Sequence, residues 1–197
     1  MISNFFNSNV YLIDEKVNFF KFENQYNVYN ESGEEIGKIA QKLSFGDKIL
    51  RMLLNKPMLP FSLEIKNAND EVEASIHRGW TFFMSKIAIH NAQGIAIGSI
   101  TQKFKLFKPT FKIQDTLGNE IAEISGDWKA WNFNIQDNTQ AQIGTISKKW
   151  NGAMKEVFTS ADKYIVELFP IYNSNPENKM AILATAITID MVLKERK

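Results

Sequence analysis

The chain has 197 residues, 44% of them hydrophobic, with a formal charge of +1 and no cysteine. That apolar content can bury a real core, in one large domain or two small ones. The near-neutral balance gives no global field favouring nucleic acid or an anionic membrane. The missing cysteines exclude disulfides and thiolate metal sites and fit a reducing compartment. The opening MISNFFNSNVYLIDEK has no basic stretch followed by an apolar run, so no secretory signal is expected.

In chain order, an extended segment near Val10–Phe22 comes first, and then a unit of about two dozen residues begins to repeat. The first copy is YNVYNESGEEIGKIAQKL. It is followed by FGDKILRMLLN, where Phe45, Ile49, Met52 and Leu53 fall at helical spacing, with Asp47 in the first turn and Pro57 beyond the end. Two roles suit a helix over Phe45–Asn55. It plugs one end of the fold, or it lies at a membrane interface with Lys48, Arg51 and Lys56 above dipping leucines.

Four more copies follow: LEIKNANDEVEASIHRGW, IAIHNAQGIAIGSITQKF, FKIQDTLGNEIAEISGDW and FNIQDNTQAQIGTISKKW. The copies align on Gly33, Asp70, Gly94, Gly118 and Gln140. The sixth residue onward is Ile39, Ile76, Ile100, Ile124 or Ile146, and the tenth is Leu43, Trp80, Phe104, Trp128 or Trp150. Each copy alternates, turns at an Asx residue, reaches a residue suited to positive φ, and alternates again, which is a hairpin signature. Five hairpins and the extended segments near Val10–Phe22 and Val157–Leu168 predict roughly ten to twelve antiparallel strands. A sheet that long closes on itself and loses its edges.

Met180–Leu193 is apolar on nearly every face, with Thr185, Thr188 and Asp190 its only polar side chains. Fourteen helical residues rise about 21 Å, short of a hydrocarbon core of about 30 Å, and an isolated carboxylate opposes insertion. The spacing therefore predicts a helix over about 179–194 filling a barrel too wide for its own side chains. The expected fold is a mainly β, closed antiparallel barrel of about twelve strands around a hydrophobic C-terminal helix, one domain over residues 1–197.

The repeat YNVYNESGEEIGKIAQ, the Asx-x-x-Gly-x-x-Ile turns and the tail FTSADKYIVELFP…MAILATAITIDMVLKE, in this order and spacing, resemble the tubby C-terminal fold. Within it they are similar to the phospholipid scramblase and LURP-one-related families. The resemblance implies binding of phospholipid headgroups through basic side chains, or calcium-dependent lipid mixing. The scramblase calcium segment lies just before the last helix and is rich in Asp. Here the matching Thr159–Glu167 offers only Asp162 and Glu167, whereas calcium takes six to eight oxygens. No calcium site is carried over.

The basic residues that suit phosphate are Lys103, Lys105 and Lys108, alternating with Phe104, Leu106 and Phe107, and Lys148 and Lys149 at the equivalent place in the last hairpin. They form either a headgroup-binding rim with Lys42, His77 and Arg78, or a solvated face whose lysines protect strand edges. Trp131 lies off the tryptophan register and is a candidate interfacial anchor. His77 and His90 are the only histidines. A metal between them requires adjacent strands and a carboxylate such as Glu73, and exposed strand histidines are the simpler reading. No phosphate loop or nucleophile elbow occurs. The expectation is a non-enzymatic, cytoplasmic or peripheral-membrane module, without cofactor or metal, that binds phospholipid headgroups or an anionic membrane surface and no nucleic acid. The alternative is a structural or protein-interaction barrel with no lipid role.

Overall fold

The computed structural model describes residues 4–16, 25–42, 60–79, 86–103, 109–127, 129–148, 163–170, 172 and 175–194. The strands are β1 (Val10–Lys16), β2 (Gln25–Tyr29), β3 (Glu35–Gln41), β4 (Phe61–Asn67), β5 (Val72–Arg78), β6 (Lys86–Asn91), β7 (Ala96–Lys103), β8 (Thr110–Asp115), β9 (Glu120–Asp127), β10 (Asn132–Asp137), β11 (Gln142–Ser147) and β12 (Lys163–Leu168). Helix α1 (Pro176–Lys194) follows. Every strand pairs antiparallel with its sequence neighbour, and β1 closes on β12, with Leu12 opposite Ile165. Of the two terminal extended segments, Val10–Lys16 forms β1 and Lys163–Leu168 forms β12, and the remainder of each predicted segment lies outside the described residues.

The five aligned residues are the hinge of each hairpin. Gly33, Asp70, Gly94, Gly118 and Gln140 all have positive φ, between 66° and 87°. In the first turn the Gly33 amide donates to the Asn30 carbonyl at 3.0 Å, and Asn30 Oδ1 accepts from the Glu34 amide at 2.9 Å. Asn67, Asn91, Asp115 and Asp137 repeat that side-chain bond at 2.8–3.1 Å. The left-handed residue adds one position to one strand, so each of these hairpins carries a register shift next to its turn. That bulge restores the alternation, and Ile39, Ile76, Ile100, Ile124 and Ile146 all reach full burial inside the barrel.

Four residues after each hinge stands a small side chain: Gly37, Ala74, Gly98, Ala122 and Gly144, all buried. A Cβ on Gly37, Gly98 or Gly144 would lie 2.0–2.4 Å from a backbone carbonyl oxygen of the adjoining strand. The repeat therefore encodes close strand approach as well as turns, a regularity that aligning the copies by their turns and isoleucines leaves unread.

Inside runs α1, about 28 Å long at 1.5 Å per residue. It starts three residues before the predicted 179, because Asn175 caps it, accepting the Asn178 amide at 2.8 Å, and Pro176 fills the first position. Met180 to Val192 are buried on every face, including Ile182, Leu183, Ala186, Ile187 and Ile189 at no more than 1% exposure. Full burial of each large aliphatic side chain contributes about 1.5–3 kcal/mol. The two threonines return their hydroxyls to the helix, Thr185 to the Ala181 carbonyl at 2.7 Å and Thr188 to that of Ala184 at 2.9 Å. Phe5 and Phe6, in the 3-10 turn Asn4–Asn7, pack into the core near the helix N-terminus. No described helix is long and apolar enough to cross a membrane.

Candidate functional site

Antiparallel order gives the barrel two unlike ends. One carries the five tight turns and the N-terminus of α1. The other carries the connections between hairpins and the C-terminus of α1, where the Tyr26 hydroxyl donates to Asp190 Oδ2 at 2.9 Å.

Charge separates along this axis. Glu31, Glu34, Glu35, Asp70, Glu71, Glu73, Asp115, Glu120, Asp137 and Glu177 stand at the turn end, with Lys38, Lys66 and Lys179 as the described bases there, Lys38 paired with Asp70 at 2.9 Å, and with Lys112 reaching Glu120 from mid-strand. Lys16, Lys42, Arg78, Lys86, Lys103, Lys129, Lys148 and Lys163 stand at the connection end, against Asp14, Glu15, Asp127 and the enclosed Asp190. The segregation follows from the repeat. Asx and Glu residues recur around each turn, and lysines recur after the buried isoleucines. Asp115 and Asp137 are held below the usual carboxylate range, first by the side chains of Asn119 and Thr139 respectively and then by turn amides, so the turn end stays anionic.

The predicted lysines are only partly assembled. Lys103 ends β7, exposed, and Lys148 follows β11, so both lie at the connection end. They do not touch: β8, β9 and β10 intervene, and four strand spacings are about 19 Å. Lys42 belongs to the same rim and pairs with Glu64 at 3.1 Å. Arg78 does not belong to it. Its alternation turns it inward at 3% exposure, with the guanidinium 4.4 Å from the centre of the Phe61 ring. Lys105, Lys108 and Lys149, the Phe45–Asn55 helix with Lys48, Arg51 and Lys56, and Trp80, Trp128, Trp150 and Asp162 lie outside the described residues. Glu167 is half-buried in β12.

Trp131 is not a free interfacial anchor. It closes the β9–β10 turn at φ 50°, a left-handed conformation that costs an L residue about 1–2 kcal/mol. That backbone folds its ring inward to 8% exposure, stacked 5.3 Å from Tyr164 and edge-on 6.0 Å from Phe133. Lys148 Nζ sits 5.0 Å from the centre of the Trp131 ring, an attraction of about 0.5–2 kcal/mol. Below Trp131 the Tyr164 hydroxyl is buried with no hydrogen-bond partner among the described residues. Burial, and then the charge of Asp190, push both Tyr164 and Tyr26 well above the usual phenol range. These groups are donors at neutral pH and do not act as bases.

His77 and His90 do lie on adjacent strands, with ring centroids 5.1 Å apart. Glu73 is not with them: it accepts from Asn67 Nδ2 at 2.7 Å, beside the turn. Among the described residues no three His, Asp or Glu side chains are grouped to hold a metal.

A family profile described as Scramblase matches residues 12–196. A phospholipid scramblase family protein of Schizosaccharomyces pombe is 19% identical over 187 residues, covering 87% of this chain and 48% of that protein. Human phospholipid scramblase 1 is 25% identical over 190 residues, covering 89% and 58%. The chain thus spans about half to three-fifths of the length of these relatives. A crystal structure of an Arabidopsis thaliana protein covers 100% of this chain and 98% of its own at a TM-score of 0.55 and 6% identity, a likeness of fold.

Proposed function

Because the chain belongs to the Scramblase family, we propose that it is a non-enzymatic barrel that docks its connection end on an anionic phospholipid surface, its lysines meeting headgroup phosphates. The observation that carries this reading is the charge separation along the barrel axis at a net charge of only +1. Each lysine near an anionic surface contributes about 1 kcal/mol, and the attraction decays over a Debye length of about 8–10 Å. A seven-residue strand such as β4 spans about 23 Å. The acidic turn end is therefore screened from a membrane that the basic end touches. The net charge understates the affinity, and the charge axis sets the orientation.

Co-sedimentation with phosphatidylcholine vesicles, with and without phosphatidylserine, tests this. Binding is expected only with phosphatidylserine, and is expected to fade with salt. Lys103→Glu with Lys148→Glu should weaken it at least tenfold, from two lost attractions and two new repulsions. Glu31→Lys, at the turn end, should leave it unchanged. No binding at low salt would favour the interaction-barrel reading, and a gain from Glu31→Lys would reverse the orientation.

A further inference from the structure

We propose that His77 and His90, side by side on the outer wall of the barrel, bind a zinc ion whose remaining coordination positions are taken by water. The register sets Ser75 opposite His90 and His77 opposite Ala88, so the two histidines are diagonal neighbours on β5 and β6. Small residues flank them, with Ser62 opposite His77 on β4 and Ala88 opposite it on β6.

The spacing suits one tetrahedral ion. With zinc–nitrogen bonds of about 2.05 Å and ring centres about 1.1 Å farther out, two imidazoles at a tetrahedral angle have centroids about 5.2 Å apart. At a right angle, as on an octahedral or square-planar ion, the separation falls to about 4.5 Å. The observed value is 5.1 Å, with the rings inclined at 75°.

Lone pairs are available. His90 Nδ1 is buried without a hydrogen-bond partner among the described residues. A proton there would be an unmet donor, so the neutral ring keeps its proton on Nε2 and leaves Nδ1 bare. His77 Nε2 lies 3.2 Å from Ser75 Oγ. With Ser75 accepting the Nε2 proton, His77 Nδ1 is the nitrogen left with a lone pair for the ion, and an outer partner orients the ligating histidine.

Glu64 is occupied by Lys42 at 3.1 Å and Lys66 at 3.7 Å, and no third protein ligand is described. Two nitrogen ligands make a site weaker than structural zinc centres and of little use to calcium or magnesium, which take oxygen. The open positions leave it able to accept a donor from another molecule.

The test is calorimetric titration of the full chain with zinc chloride, at pH 7.5 and pH 5.5, for the wild type, His77→Gln and His90→Gln. One zinc per chain at micromolar concentration is expected, at least tenfold weaker in each variant and weaker at pH 5.5, and unaffected by excess magnesium. Both positions face outward, so the variants should melt with the wild type. Imidazole nitrogen resonances of the wild-type protein, which should shift for both rings at one equivalent of zinc, give a readout that needs no variant. No saturable binding, equal affinity in both variants, or unmoved imidazole resonances would overturn the proposal.

Discussion

Tyr26 and Tyr164 are both fully buried phenols at the connection end, yet their removal should act in opposite directions. Tyr26 donates to the buried Asp190 carboxylate at 2.9 Å, whereas the Tyr164 hydroxyl has no partner among the described residues. Tyr26→Phe deletes a bond to a charged acceptor inside the barrel, at a cost of about 1.5–3 kcal/mol. Tyr164→Phe keeps the ring that stacks on Trp131 and discards an unmet polar group, so it should be neutral or stabilising by about 1 kcal/mol. In a chain of this length each kcal/mol moves the melting temperature by about 2–4 °C. Tyr26→Phe should therefore melt roughly 3–12 °C below the wild type, and Tyr164→Phe at or slightly above it. Thermal and urea unfolding followed by far-UV circular dichroism compare the three proteins directly. If Tyr164→Phe loses as much stability as Tyr26→Phe, the phenol–carboxylate bond is not what holds the helix end, and the reasoning fails.

Ile187→Asp places a lone charge at a position with no solvent exposure and should abolish folding, seen as loss of soluble, cooperatively melting protein. Gly98→Ala sets a Cβ 2.4 Å from the Gln114 carbonyl oxygen and should cost about 1–3 kcal/mol in urea unfolding; a neutral result would show that the strands can separate freely. Both buried tyrosines have folded pKa values above the unfolded value of about 10. Their contribution to stability is therefore complete below pH 10 and is lost as pH rises toward the folded values, so ultraviolet titration should show their ionisation only together with alkaline unfolding. Calcium titration should show no binding tighter than millimolar, and micromolar affinity removed by Asp162→Ala would contradict that.

The sequence by itself determined the strands, turns and helix, because each is written in local periodicity. Asx residues start the turns, the left-handed hinge falls where Gly33, Gly94 and Gly118 stand, and Asp70 and Gln140 are found by alignment with them. The isoleucine six residues on must then point inward, and a segment apolar on all faces yet too short for a bilayer has the barrel interior as its place. Closure was expected from the number of strands, but the register of its seam, with Leu12 of β1 opposite Ile165 of β12, and the inward turn of Arg78 and Trp131 were decided only by the tertiary structure. Arg78 reads as a surface base until alternation is counted from Ile76, and Trp131 reads as an exposed anchor until its left-handed backbone is seen. Spacing along the chain also suggested one lysine cluster, where the barrel sets Lys103 and Lys148 on one rim with three strands between them. Equivalent positions in a repeat share a height on the wall, but strand order around the barrel fixes their separation. The same wrapping sorts scattered acids and bases, near-balanced in composition, to opposite ends, and sets His77 beside His90. Neither can be read from composition, because both depend on which strands become neighbours.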